Sequence, residues 1–372
     1  MLGDMKSISS DSHIVEPPDL WSSVPSEYID KAPRVIANNG VDYWFVDGIR
    51  CNSFAGGAQV GARFGDHAKL KSAASFSDVR PGAYLPGVHL SENFSDGILG
   101  SVLYPTQGLL LFGLHDLGLL HILCQTYNNW LADFCSFDIG RLKGVAIIPN
   151  DDVLWAVNEL ERCHSLGIKG AMISCAPKSV SSYEHKYYDP FWEKAVELSI
   201  PISLHIATDR AGADFSQAGI VNADHGIRKT VMSLILGGVF TRFPKLRIGI
   251  IEYELGWIPF FLERLDYLYT QRANRQGWNR LTDDSLPSDV FRSNMFVSFQ
   301  EDQLGIRDRH IIGINNIMFG SDYPHTESTF PRSMLILDEL LQGLPLDEQA
   351  KIRFGNCADL YSFSISDEQF QR

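Results

Sequence analysis

The stretch GSDYPH, Gly320 to His325, follows the apolar run Ile314–Phe319 and reads as the mouth of a buried strand. It delivers Asp322 and His325 to a surface. A carboxylate at such a place must be paired, hydrogen-bonded or bound to a cation, because burying it alone is costly. Two earlier strand ends offer matching groups: Asp11 and His13 in SSDSHIVEPPDLW, and His205 in PISLHIAT. Asp11 and His13 are two apart, so on a strand their side chains share one face. Taken singly each signal is weak, since a DxH pair is common and a lone His in an apolar strand is usually a core residue. Together, two acids and two imidazoles at strand ends are the material of a metal site with a coordination position left open for chemistry. That chemistry is metal-dependent lyase or hydrolase chemistry.

Further titratable groups cluster near these positions. Glu252 and Glu254 end RIGIIEYELGW, and strand alternation predicts both on one face with Tyr253 opposite. One of them is a candidate general acid or base. Glu16, just past His13, and His325, just past Asp322, are candidates for orienting a ligand or moving a proton. His225, in the polar ADHGIR, reads as solvent-exposed. Rival chemistries have no footing: GxSxG, HExxH, a Walker loop and a strand-flanked GxGxxG are all missing. The glycine-rich AGGAQVGARFG lacks the GK[ST] of a phosphate loop and reads as a flexible loop.

The elements that must position these groups alternate along the chain. Candidate strands are Ser7–Ile14, Gly100–Tyr104, Leu142–Ile148, Ile168–Ser174, Ile200–Ile206, Leu246–Tyr253, Met295–Phe299 and Ile314–Gly320. Several are nearly continuous in Ile, Val and Leu, as parallel strands buried on both faces are. Helical spacing marks Asp151–Ser165 (with Asn150 and Asp151 as caps), Tyr188–Ser199, Ile258–Leu268 and Ser333–Gly343. Eight strands with crossover helices predict a distorted (β/α)8 TIM barrel in one domain over residues 1–372. Residues about 16–99, rich in Gly, Pro, Ser and Asn, read as an insertion after strand 1, roofing the C-terminal face. Its one strand-like piece is Asp42–Val46, ending in the hairpin signal Asp47-Gly48.

Of 372 residues, 45% are apolar and 21% charged, and the formal net charge is −13. That balance argues against nucleic acid and anionic membranes as partners. Six scattered cysteines without a CxxC pair, and a start without a signal-peptide core, predict a cytoplasmic protein with reduced thiols.

DSHIVEPPDLW, VLYPT, RFPKLRIGIIEYELGWIPFFLERLD and FGSDYPHTEST resemble the amidohydrolase superfamily. The resemblance is to the amidohydrolase-related branch that includes aminocarboxymuconate semialdehyde decarboxylase, over about Ser7 to Tyr361. It implies a distorted (β/α)8 barrel with one divalent metal (zinc first, manganese second) and a homodimer. It carries over Asp11, His13, His205 and Asp322 as ligands, with Asp322 also transferring protons. It implies non-oxidative decarboxylation of a small carboxylated, aromatic or cyclic substrate; metal-dependent hydrolysis of an amide, ester, lactone or C–C bond is the alternative. A non-catalytic barrel scaffold is the second alternative. The family's decarboxylases carry a His after strand six where this chain has Glu252, so Glu252 and His325 join Asp322 as candidate catalytic residues. Arg50 and Arg63, in the insertion, are candidates for meeting a substrate carboxylate.

Overall fold

The computed structural model describes residues 5–177, 182–276, 281 and 284–365. Its strands are β1 (Ser7–Ile14), β2 (Arg34–Asn38), β3 (Val41–Val46), β4 (Ile49–Ser53), β5 (Ile98–Pro105), β6 (Leu142–Ile147), β7 (Gly170–Ile173), β8 (Ile202–His205), β9 (Ile248–Ile251), β10 (Met295–Phe299) and β11 (Ile317–Phe319). β1 and β5 to β11 form one sheet in the order β1-β5-β6-β7-β8-β9-β10-β11, every neighbouring pair parallel. Every residue of these eight strands is buried, and most read as apolar runs for that reason, β1 (SISSDSHI) being the polar exception. The expected strands are all present; five are one to four residues shorter than expected, and β5 is three longer. The last begins at Ile317 because Ile314–Asn316 forms a 3-10 turn.

The outer helices are α1 (Pro86–Ser95), α2 (Leu117–Ser136), α3 (Val153–Ser165), α4 (Asp189–Glu197), α5 (Asp224–Leu236), α6 (Ile258–Gln276), α7 (Pro287–Asn294) and α8 (Ser333–Leu340). α3 is capped by Asp152, whose carboxylate accepts from Trp155 N at 3.1 Å, and not by the expected Asn150 or Asp151. Among the described residues no helix is long and apolar enough to cross a membrane.

The sheet closes into a barrel where β11 meets β1, and the join is built from serines. Asp322 N donates to Asp11 O at 2.8 Å and His13 N to Tyr323 O at 2.6 Å. Ser321 N donates to Ser9 Oγ at 2.9 Å, and Ser10 Oγ to Phe319 O at 2.9 Å. Gly320 permits this approach, since a Cβ there would sit 2.6 Å from that of Asp11.

The insertion differs from its expectation at both ends. It holds a three-stranded antiparallel sheet, β2-β3-β4, turned by Asn39-Gly40 and Asp47-Gly48, all four at positive φ. Its last part, α1, is the first crossover helix of the barrel, which a Pro-Gly start and flanking Ser and Asn disguise. The glycine-rich loop begins with a helical turn, Ala55–Ala58, whose Ala55 and Gly56 carbonyls receive Thr326 Oγ1 at 3.3 and 3.2 Å, and continues into a 3-10 turn, Ala62–Phe64. That contact seats the insertion on the loop after β11.

Asp96, just before β5, accepts from Ser333 N at 3.1 Å and from Ser333 Oγ, holding the start of α8. Burial pushes its carboxyl up to about 6 from an ordinary 3.8. The folded state therefore binds more protons than the unfolded chain between those values, so this group's contribution to stability falls as pH rises through about 4 to 6. Asp96→Asn, which keeps an acceptor for Ser333 N, is expected to flatten that part of the stability–pH curve. Urea unfolding of both proteins from pH 4 to 8 checks it, and an unchanged slope would refute it.

Candidate metal centre

The C-terminal ends of four strands converge on one point. β1 contributes Asp11 and His13, β8 ends on His205, Glu252 follows β9 and Asp322 follows β11. His13 Nε2 lies 3.4 Å from Asp11 Oδ1 and 3.4 Å from Asp322 Oδ1. His205 Nε2 lies 3.7 Å from Asp11 Oδ1 and 3.5 Å from Glu252 Oε2. The two imidazoles and the carboxylates of Asp11 and Asp322 are at most 1% exposed, whereas Glu252 is 27% exposed.

The imidazoles are locked in one orientation. His13 Nδ1 lies 2.7 Å from Pro105 O and His205 Nδ1 2.9 Å from Ile206 O. A carbonyl only accepts, so each Nδ1 carries the proton and each Nε2 turns a lone pair to the centre. Asp11 Oδ1, both Nε2 nitrogens and Asp322 Oδ2 are buried without a hydrogen-bond partner among the described residues. Four acceptor atoms thus lack a donor, and beside Asp322 Oδ1 stands His325 Nδ1 at 2.7 Å. Buried acceptors left this way are expensive, and a divalent cation satisfies all of them at once. The donor set fits such an ion.

Charge reinforces this. Burial pushes the Asp11 carboxyl up, but His13 and His205 beside it more than offset that and hold it below the ordinary range. Burial pushes Asp322 up to about 7, His13 opposing and Asp11 adding to the shift. Glu252 is driven well above an ordinary carboxylate, by burial first and then by Asp322 and Asp11. The metal-free pocket has more negative charge than it can hold.

His325 lies beside this group. Its Nδ1 is 2.7 Å from Asp322 Oδ1, its Nε2 is 3.1 Å from Thr106 Oγ1, and its ring lies tilted against that of His13, 4.0 Å between centroids. Burial pushes it down to about 4, so it is neutral at pH 7. Thr106, held to β1 by its N–H on Ile14 O at 3.1 Å, gave no signal of its own in the sequence beyond its place in VLYPT.

Other expected residues lie elsewhere. Glu254 does not share a face with Glu252: both have left-handed backbones (φ +53° and +62°), so alternation ends with β9. Burial pushes Glu254 up to about 7, and the backbone N–H groups of Gln300 and Glu301 oppose this. Glu16 is buried and accepts from Gln107 N and Gly108 N, each at 2.8 Å, fastening the end of β5. His225 is exposed, as expected. Arg50 is exposed on β4 over the Tyr43 ring, away from the strand ends. Arg63 donates to Ser328 O at 2.8 Å and pairs with Glu301, at the rim of the barrel mouth. All six cysteines are free, and only Cys51 is not buried.

The profile of the Amidohydrolase family matches residues 110–363. A gamma-resorcylate decarboxylase from Polaromonas sp. is 25% identical over 266 residues, 64% of this chain and 75% of that protein. A 2-keto-4-carboxy-3-hexenedioate hydratase from Sphingobium sp. is 27% identical over 208 residues, 53% of this chain and 57% of that one. Among solved structures, an amidohydrolase from Mycobacterium avium subsp. paratuberculosis superposes with a TM-score of 0.77 at 22% identity, over 96% of this chain and 99% of that one. A 5-carboxyvanillate decarboxylase from Novosphingobium aromaticivorans superposes at 0.69 and 18% identity, over 97% and 99%. It was crystallised with manganese and a nitrobenzoic acid, so the expectation of zinc ahead of manganese finds no support among these relatives. The match over most of the chain, on an eight-stranded parallel barrel with its polar residues at the strand ends, places this protein in the Amidohydrolase family.

Proposed function

We propose that this protein is a divalent-metal-dependent carboxy-lyase acting without an oxidant on a small hydroxylated aromatic or cyclic acid. The observation that carries the reading is the cluster of buried acceptors on β1, β8 and β11, beside which no Lys or Arg nitrogen lies within 4.0 Å among the described residues. Names of relatives support the reaction class: the resorcylate and carboxyvanillate enzymes are decarboxylases. Asp11, His13, His205 and Asp322 would hold the ion, manganese before zinc. When bound, it supplies a Lewis-acid anchor for a carboxylate and its neighbouring oxygen.

The chain supplies the proton. Asp322 faces the centre, with Oδ1 3.4 Å from His13 Nε2, and would deliver it. The bond from the carboxylate to the ring carbon breaks, CO2 departs, and the electron pair left on carbon takes the proton from Asp322. His325, 2.7 Å from that carboxylate and bonded to Thr106, is placed to return a proton from outside. His13 and His205 are fixed by carbonyls and only position.

One observation favours a second reading. Glu252 would repel a substrate carboxylate unless it is protonated or bound to the ion. In a hydrolase the same residues would hold a water, and Asp322 or Glu252 would take its proton. The test is to offer manganese-loaded protein hydroxylated benzoates, and separately esters, amides and lactones. CO2 release from an acid, falling ~10²-fold or more in Asp322→Asn and in His325→Ala, is expected for the lyase. Turnover of the neutral compounds alone would replace it with the hydrolase.

A further inference from the structure

We propose that Glu252 is itself a ligand of the cation, making the shell two imidazoles and three carboxylates from four strands. The inference rests on the metal-dependent reading above and departs from its four-ligand set.

Four observations converge. Glu252 Oε2 is 3.5 Å from His205 Nε2, inside the 3.4–3.7 Å spread that separates Asp11 from the two imidazoles. One donor atom from each of Asp11, His13, His205 and Glu252 lies within 4.8 Å of the others. Ligands at about 2.0–2.2 Å from one ion are about 3 Å apart when adjacent and about 4.3 Å when opposite, so these four donors need only a slight contraction, while Asp322, grouped within 4.8 Å with His13 and His325, must draw in further to complete the shell. The backbone at Glu252 turns left-handed immediately after β9, which ends the strand's alternation at this residue. Finally, the charges acting on this carboxylate are those of Asp322, Asp11, Glu327 and Glu254, all of its own sign. Among the described residues no Lys or Arg nitrogen comes within 4.0 Å of it. The imidazole nearest it, His205, has its Nδ1 proton on Ile206 O and turns a lone pair toward it.

The consequence is selectivity. Three carboxylates outnumber the charge of a divalent ion, and an oxygen-rich shell suits manganese better than zinc. The shell stays net negative, so an incoming substrate carboxylate meets an ion already largely neutralised. The site therefore favours substrates that bring a second oxygen donor, such as an ortho-hydroxyl, to bind through both.

The test compares wild type, Glu252→Gln, Glu252→Ala, Glu254→Gln, His205→Ala and Asp322→Asn, each stripped and reloaded with Mn(II). Free Mn(II) is read by electron paramagnetic resonance and water access by proton relaxation per bound ion. Both Glu252 variants are expected to bind Mn(II) at least ~10-fold more weakly, with higher relaxation as water enters the vacated position. Their preference for Mn(II) over Zn(II) should shrink, and Glu254→Gln should match wild type. Wild-type affinity and relaxation in both Glu252 variants, with metal lost in His205→Ala and Asp322→Asn, would overturn this inference and leave the metal site standing. An equal loss in Glu254→Gln would overturn it as well, as a general field effect. Metal retained in His205→Ala and Asp322→Asn would overturn both readings. Glu252→Gln keeps the side chain's shape, so the comparison survives if the alanine variant does not fold.

Discussion

Stripping the cation is expected to lower the thermal midpoint by several degrees, and Asp322→Asn to erase the difference between stripped and loaded protein. The ion binds only the folded chain, because its ligands come from strands far apart in sequence. At a free concentration 100 times the dissociation constant it adds about 2.7 kcal/mol, and at 1,000 times about 4 kcal/mol. Without it the fold must bear the unpartnered acceptors and a non-glycine residue at φ +56° at Asp322, a conformation that costs roughly 1–3 kcal/mol. The amide keeps the shape of Asp322 but removes one charge from a crowded pocket. The stripped variant should therefore be at least as stable as stripped wild type, although it cannot be rescued by metal. Calorimetry with and without Mn(II) separates the cases. Identical midpoints for loaded and stripped wild type would remove the ion from the account.

The second large effect is expected from Arg210→Ala, outside the ligand set. Its guanidinium is 2% exposed and holds three segments together. Nη1 donates to Phe112 O and to Leu114 O, the latter at 2.8 Å, and Nε lies 3.1 and 2.9 Å from the two oxygens of Asp151. Alanine leaves two carbonyls and a carboxylate without that partner. Breaking a buried pair from one side costs about 3–5 kcal/mol, and because Asp151 is 18% exposed the lower end is expected. The freed segment, Gln107–Gly113, directly follows Thr106, so the His325 contact should loosen as well. Adding Asp151→Asn to the alanine variant should recover part of the loss, since the stranded charge is then gone. Urea unfolding of the single and double variants measures both. A loss under about 1 kcal/mol would contradict the assigned role.

The barrel was legible in the sequence because its strands are buried on both faces, which leaves no alternation to misread. His205 and Asp322 stood out for a related reason, as polar residues at the ends of apolar runs, and Asp11 and His13 by their spacing of two on one strand face. What escaped notice had no such contrast. Arg34–Asn38 has mostly exposed residues on both faces, so nothing periodic announced β2. Alternation paired Glu254 with Glu252, but the left-handed backbone at both residues breaks the period there. Thr106 meets His325 across 219 positions, a proximity that only the closed barrel creates.

The serine join between β1 and β11 sets a schedule for the ribosome. Ser9 and Ser321 touch at 3.0 Å yet are 312 residues apart, so one side of the join waits while nearly the whole chain is made. At about 5–20 residues per second that wait is roughly 15–60 s. Asp11 and His13 sit on the waiting side and Asp322 on the arriving side, so no nascent fragment can assemble the full set. On the proposed reading, capture of the ion would mark the moment the chain has become a barrel.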